Sequence, residues 1–440
     1  MSHRIKVLDI ELSYPLANIE GLDGYAELEG LVRMHGKLIG KVQVPIVGDY
    51  CPAKTVVDAI LEQHSQRIAR HFLLNNLATP SQGNQWCINN LLNVAQPTYS
   101  LPLPLVTVAV CTRDRPADLA MCLEALKSLN YSNLDILVVD NAPSNDATEQ
   151  LIQTTYPNVR YVCEPRPGLS WARNRAIVEA RGEIIAYTDD DVVVDPGWIT
   201  NLVNVFATNS KVMVVTGYVA AYELETDAQI IFEQAYRFGR GFESKWVQVN
   251  DRGSRKTVTQ YGATANYGTG ANMAYRRSLF ERIGYFDPAL GAGTATTGGE
   301  DLEMFFRVLH EGYTLVYEPN ALVRHRHRHD YAQLKKQVTN NGIGYYSYLV
   351  RSALTYPQDK FSFVQLGLQL LLGNIYQLLL SFVRPSPRRQ RDLTLAELRG
   401  SFIGLCRYQK AHQTAMQLAN TLDSLTPTIL IKKPESQVCK

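Results

Sequence analysis

The chain has 440 residues, 45% hydrophobic and 20% charged, a globular composition with ample core for two or three domains. Forty-four Lys and Arg against 42 Asp and Glu leave a net charge of +2, which excludes both an acidic tail and a nucleic-acid partner held by bulk charge. Seven cysteines, at 51, 87, 111, 122, 163, 406 and 439, are scattered and form no Cys-x-x-Cys pair, and residues 1–11 hold no apolar signal core. A reduced, cytoplasmic chain without a zinc site is the expectation, with the inner face of a membrane as its other candidate location.

In chain order, residues 26–34 and 38–47 read as a hairpin about Gly36. A helix over 54–74 follows, with Val56, Ile60, Ile68 and Phe72 among its apolar positions. Residues 78–103 are rich in Pro, Asn, Gln and Ser and read as a linker. From Leu105 the pattern becomes strand, helix, strand. Residues 105–111 form an apolar strand, and Pro116 opens a helix with Leu119, Cys122, Leu123, Leu126 and Leu129 on one face. Further strands are expected over 135–139, 159–163 and 183–188, with a helix over 169–180. Apolar strands in this order predict a mainly parallel sheet covered on both faces, with ligands beyond its carboxyl ends.

Cys111-Thr112-Arg113, Asp140-Asn141 and Asp189-Asp190-Asp191 all fall at those ends. The aspartates interrupt a β-prone apolar run, which argues against a solvated acidic loop. In an extended segment Asp189 and Asp191 share one side and Asp190 faces away. Two carboxylates on one side make a site for a hard divalent cation and suggest chemistry on a phosphate. Glu300-Asp301 precedes a helix carrying Leu302, Phe305, Phe306 and Leu309, so an acidic cap is the plain reading of that pair. The run from Arg324 to Asp330 places His325, His327 and His329 on one face if extended, and a basic strand end is its plain reading.

Past Asp330 the chain reads as helical over 331–351, 363–383 and 394–422. The middle helix is Leu-rich and long enough to span a bilayer. A stripe of Gln365, Gln369, Gln377 and Ser381 instead favours packing on the protein or lying at a membrane surface through residues 360–391.

Six segments in order carry a family resemblance. They are the strand and turn from Val108 to Pro116, Val138-Val139-Asp140-Asn141, Gly168-Leu169-Ser170-Trp171-Ala172-Arg173-Asn174, Asp189-Asp190-Asp191, the loop from Gly268 to Ala274, and Gly298-Gly299-Glu300-Asp301. Together they resemble a non-processive family 2 glycosyltransferase of the GT-A fold over residues 105–329. The resemblance implies an α/β fold whose GT-A domain covers 101–330, between an N-terminal α+β region (1–100) and a helical C-terminal region (331–440). It implies a transferase of cell-surface polysaccharide or glycolipid biosynthesis, inverting and metal-dependent. Asp301 would be the general base with Glu300 beside it, and Asp189, Asp191 and His325 would hold Mn²⁺ or Mg²⁺. The substrate contacts would be Thr112, Arg113, Asp140, Arg173, Asp189, Asp190, Gly270 and Asn272. The donor would be a nucleotide sugar, with UDP-sugars the commonest in the family, and the acceptor a glycan, lipid or protein hydroxyl. The Gln-x-x-Arg-Trp segment of processive synthases is absent from the sequence. Two rivals stay open: a nucleotidyltransferase, and a non-catalytic nucleotide-sugar-binding protein.

Overall fold

Leu28, Val32, Val42 and Val44 alternate along two strands and put their side chains into one small core. The strands are β2 (Glu27–Met34) and β3 (Lys37–Pro45), paired antiparallel as the sequence predicts. His35 at φ 52° and Gly36 at φ 73° make the turn between them, both left-handed as a two-residue hairpin of this twist requires. The Glu11 carboxylate accepts the His35 and Gly36 N–H groups at 3.0 and 3.1 Å. Glu11 ends β1 (Ile5–Glu11), a strand the sequence did not announce, which lies parallel to β2. Helix α1 (Ala53–Ala78) closes this core with Val56 and Ile60.

In this computed structural model the chain divides into two units, Met1–Leu103 with Ala221–Ile230, and Pro104–Ala220 with Ile231–Lys440. The structure describes residues 4–78, 103–249, 262–383 and 390–422, so most of the expected linker over 78–103 lies outside the described residues.

The second unit is built on a mixed sheet. Strands β4 (Val106–Thr112), β5 (Leu134–Asn141), β6 (Arg160–Glu164) and β7 (Ile184–Asp189) are parallel, in the order β6-β5-β4-β7. Their partners continue the sheet from β7: β11 (Asn272–Arg276), β9 (Val212–Ala221), β12 (Thr314–His325) and β10 (Lys245–Val247), with the short β8 (Val192–Val194) on β12. β11 pairs antiparallel with β7 and with β9, and β12 pairs antiparallel with β10 and with β8, so only half of the sheet has the parallel character that the sequence predicts.

The continuous apolar strands follow from burial on both faces. In β7, Ile184 and Ala186 face the core closed by α2 (Pro116–Lys127) and α5 (Trp198–Thr208). Ile185 and Tyr187 face the opposite core, closed by α4 (Leu169–Glu179) and α8 (Glu300–His310). Between these run α3 (Ala147–Thr155), α6 (Asp227–Tyr236) and α7 (Ser278–Ile283).

Helices α9 (Tyr331–Thr355), α10 (Lys360–Val383) and α11 (Arg391–Leu422) belong to the same unit as the sheet. A buried ionic network ties α9 and α11 to it. Arg351 of α9 pairs with Glu303 of α8 at 2.5 Å and with Asp287 at 3.2 Å. Tyr408 of α11 donates to the same Asp287 carboxylate at 2.8 Å. Glu303 also pairs with Arg307 one turn on. The helix that begins at Glu300 is therefore fixed from two sides.

Candidate active site

Strand β7 ends at Asp189, and the chain turns through Asp190 and Asp191 into β8. The extended geometry expected for the three aspartates, with Asp190 facing away, does not occur. The turn instead brings all three to one cavity of about 810 Å³ at the carboxyl edge of the parallel strands. The register of the neighbouring strand completes the arrangement. Val192 pairs with His325, and the Arg326 N–H donates to the Asp191 carbonyl at 3.1 Å, so His325 stands beside Asp191.

Asp189, Asp191 and His325 each offer a ligand atom, and these atoms lie within 4.8 Å of one another. His325 Nε2 is 3.3 Å from Asp191 Oδ1. Burial pushes the His325 imidazole down to about 4, so at neutral pH it offers a lone pair. Burial acts against ionisation of Asp191 as well, but His325, Arg328 and Arg115 around it hold its carboxyl below the ordinary value. Burial pushes Asp189 up to about 6, Arg173 opposes this, and Asp191 and Asp301 add to it. About a third of the Asp189 side chain, 34%, remains open. Two carboxylate oxygens and a neutral imidazole suit a hard or borderline divalent cation, so the residues fit the metal that the resemblance implies.

Behind His325 lies an arrangement the sequence did not reveal. His325 Nδ1 is 3.2 Å from His327 Nδ1, and His327 Nε2 is 3.3 Å from Glu233 Oε2 of α6. Both imidazoles are buried, whereas His329, grouped with them on sequence alone, is exposed. Adjacent spacing in an extended run said nothing of Glu233, which arrives from almost a hundred residues away.

Asp190 is held differently. It accepts the Thr112 hydroxyl at 2.7 Å and Arg115 Nη1 at 3.1 Å. Burial, then Asp191, pushes its carboxyl up to about 7 against these partners. Arg115 also reaches Asp191 at 3.2 Å and Arg328 does so at 3.5 Å. Neither arginine was singled out in the sequence, and both line the cavity, as do Thr112 and Arg113.

Arg173 joins the aspartates to the Glu300-Asp301 pair. Its Nη1 donates to Glu300 Oε1 at 2.7 Å, and its Nη2 lies 3.7 Å from Asp189 Oδ1. Burial pushes Glu300 up to about 7 although Arg173 opposes it, and Glu300 Oε2 is buried without a hydrogen-bond partner. Asp301 accepts the Gly270 N–H and its own helix's Leu302 N–H, both at 2.8 Å. Gly299, at φ 90°, caps α8 in the left-handed region, and a Cβ there would stand 2.4 Å from the Gly344 carbonyl oxygen of α9. Glu300 and Asp301 are thus set at the head of α8, and neither is among the residues that line the cavity.

The remaining expected contacts fall at three places. Asp140, next to last in β5, is fully buried, with one oxygen accepting Tyr161 at 3.2 Å and the other without a hydrogen-bond partner. Burial raises its carboxyl. Gly270 gives its carbonyl to Arg173 at 3.3 Å, and a Cβ there would sit 2.6 Å from the guanidinium. Asn272, expected to touch substrate, lies fully buried and braces three strands and a helix. Its amide donates to the Tyr218 and Ala321 carbonyls at 3.0 and 2.7 Å and accepts the Trp198 indole at 2.8 Å.

Residues 107–284 match the family model described as glycosyl transferase family 2. The second unit carries a family 2 glycosyl transferase domain. Its mixed sheet, with helices on both faces, is the GT-A arrangement. The matched stretch includes the aspartates and Arg173 and stops before Glu300, Asp301 and His325.

Among known proteins, the glucosyl-dolichyl phosphate glucuronosyltransferase of Haloferax volcanii is 22% identical over 230 residues, covering 50% of this chain and 69% of that protein. The succinoglycan biosynthesis protein ExoM of Rhizobium meliloti is 28% identical over 225 residues, covering 50% and 65%. The pre-mycofactocin glycosyltransferase of Mycobacterium tuberculosis is 24% identical over 224 residues, covering 51% and 43%. The chain thus spans about two thirds of the first two relatives and less than half of the third. A solved mannosyltransferase from Pyrobaculum calidifontis, in complex with GDP-Man and Mn²⁺, is similar at a TM-score of 0.39 and 16% identity, covering 84% of this chain and 87% of that one.

Proposed function

We propose that the protein is an inverting, metal-dependent glycosyltransferase moving a sugar from a nucleotide sugar to an acceptor hydroxyl. The observation that carries the reading is the grouping of Asp189, Asp191 and His325 ligand atoms within 4.8 Å, together with the 810 Å³ cavity that Asp189 and Asp191 border. In this reading those residues hold Mn²⁺ or Mg²⁺. The bound cation supplies neutralisation of the charge that grows on the diphosphate leaving group.

The chain's own residues do the rest. Arg113, Arg115 and Arg328 stand at the cavity to receive phosphate oxygens. The unpartnered Asp140 oxygen at the end of β5 is an acceptor for a nucleobase or ribose donor. Arg173 orients Glu300 and, through the Gly270 carbonyl, the loop whose N–H holds Asp301. Asp301 is the general base that takes the acceptor proton. Each of its oxygens has two acceptor directions, so the Gly270 and Leu302 N–H groups leave capacity for that proton. A base on the acceptor side and a leaving group on the metal side fit one in-line displacement with inversion.

His325 is set for ligation by proton order. With Nε2 free for a metal, its Nδ1–H donates to His327 Nδ1, and the His327 Nε2–H then donates to Glu233. A UDP-sugar donor and a glycan- or lipid-borne acceptor are the substrates favoured by the family. The cytoplasm is the favoured compartment, on the cysteine pattern.

Donor hydrolysis and transfer by the purified protein, compared with Asp191→Ala and Asp301→Asn, test the reading. Loss of turnover in both variants supports it. Full activity in both sinks the site. Release of pyrophosphate from a nucleoside triphosphate and a sugar phosphate would favour a nucleotidyltransferase. Nucleotide-sugar binding with no turnover over a broad acceptor panel would favour a non-catalytic binding protein.

A further inference from the structure

The stretch Pro357–Val383 is long and apolar enough to cross a membrane, yet only 11% of its most apolar window is buried in the protein. Within α10, Phe361, Val364, Leu368, Leu372, Leu379 and Phe382 are all exposed, from 50% at Val364 to 85% at Phe361. At about 100° per residue these six fall within roughly 80° of the helix circumference, a stripe roughly 30 Å long. Soluble packing, one of the readings the sequence left open, does not occur along this stripe. A face of this kind has one use in water: it is covered by something else.

Two observations say what covers it. The first is charge. Residues 360–391 contain no Asp or Glu, but carry Lys360, Arg384, Arg388, Arg389 and Arg391. The Arg391 guanidinium lies over the Phe382 ring at 4.6 Å, a cation at the end of the apolar stripe. An apolar stripe with the Arg391 guanidinium at its end, in a segment whose charges are all cationic, complements an anionic lipid surface, with aliphatic and aromatic groups below the headgroups.

The second observation is anchorage. The other side of the helix is fastened to the protein. Phe363 and Leu366 are buried with Tyr346 and Leu349 of α9, and the Tyr346 hydroxyl donates to the Gly367 carbonyl at 2.8 Å. A spanning helix would have to leave these contacts, whereas a helix lying in the membrane plane keeps them and turns its stripe outward.

We propose that α10 docks the protein on an anionic bilayer as an in-plane interfacial helix. This rests on the exposed stripe and not on the metal site, so its failure and the failure of the transferase reading are separable. It goes beyond that reading by fixing how a lipid-borne acceptor meets the enzyme: both lie at one surface.

The experiment is flotation of the full-length protein with phosphatidylcholine vesicles and with vesicles that also contain phosphatidylglycerol. The wild type and the combined variant Leu368→Gln, Leu372→Gln, Leu379→Gln are compared. All three positions are exposed, so the fold does not depend on them, and an unchanged melting temperature checks this. The wild type is expected to float with the anionic vesicles, to bind less as salt rises, and to be released by alkaline carbonate. The variant is expected to lose more than about tenfold in vesicle partitioning. Failure of the wild type to float, or equal flotation of the variant, overturns the proposal. Retention through carbonate overturns it in favour of a spanning helix. A wild-type dimer that the variant dissociates, with no flotation, overturns it in favour of a contact between two copies of the chain.

Discussion

Asp189, Asp190 and Asp191, at the end of β7 and in the turn after it, border the cavity, whereas Glu300 and Asp301 stand at the head of a helix, with Arg173 in contact with both Glu300 and Asp189. The first group gathers cationic or ligand-type partners: Arg115, Arg328 and His325. The second is held by backbone N–H groups and one buried guanidinium. The difference teaches how one residue type serves two ends. A carboxylate that must exchange partners with incoming ligands sits among charges that leave it ionised, as Asp191 does. A carboxylate that must keep its position is tied to the scaffold, as Asp301 is by two backbone N–H groups.

That comparison breaks most sharply at its two ends. Asp301→Asn is expected to lower turnover by about 10²–10⁴-fold with nucleotide binding kept, because only proton removal is lost. Asp191→Ala is expected to lower both turnover and metal-dependent nucleotide binding. If the two variants fail in the same way, the division of labour between the groups is wrong.

The scaffold side predicts a stability effect next. Arg351→Met removes one partner from a buried ionic network and leaves Glu303 and Asp287 with less compensation. A loss of about 3–5 kcal/mol in denaturant unfolding is expected. Glu233→Gln acts on the open side through His327 and His325. A fall of about 10–100-fold in Mn²⁺ affinity, read by electron paramagnetic resonance of free Mn²⁺, is expected with the melting temperature little changed. Unchanged affinity would leave the His327 contact a matter of packing.

The smallest expected effect is in pH. Burial raises Glu300 from its ordinary 4.5 to about 7, so between those values the native state binds more protons than the unfolded state. Stability therefore falls as pH rises through that window, and is fully free of this loss only below it. In Glu300→Gln the fall is expected to be shallower. Parallel melting curves against pH for the two proteins would show that Arg173 compensates Glu300 completely.

Much of this arrangement is legible in the sequence because it is local. Runs such as 108–110 are apolar throughout since both faces of β4 are covered, and each ends in the polar residues that meet at the sheet edge. What stayed hidden depends on partners far along the chain. Asp190 joins the cavity because the chain turns after Asp189, and alternation along a strand cannot reveal a turn. Asn272 reads as a pocket residue from its loop, yet Tyr218 and Ala321 take both of its amide hydrogens and Trp198 donates to its oxygen. Strand β1 went unrecognised because a parallel partner of β2 carries no hairpin signal. The antiparallel half of the sheet was missed for a related reason, since β12 pairs with β8 more than a hundred residues earlier.

The central claim is that Asp189, Asp191 and His325 hold a divalent cation for a nucleoside diphosphate. A thermal-shift titration of UDP, GDP and dTDP with Mn²⁺ and with chelator, on wild type and Asp191→Ala, tests it most directly. At a nucleotide concentration of 100 times Kd, binding to the native state adds about 2.7 kcal/mol of stability. The account predicts a raised melting temperature with one of these nucleotides that needs Mn²⁺ and vanishes in Asp191→Ala. An equal rise in the presence of chelator, or in the variant, would contradict it.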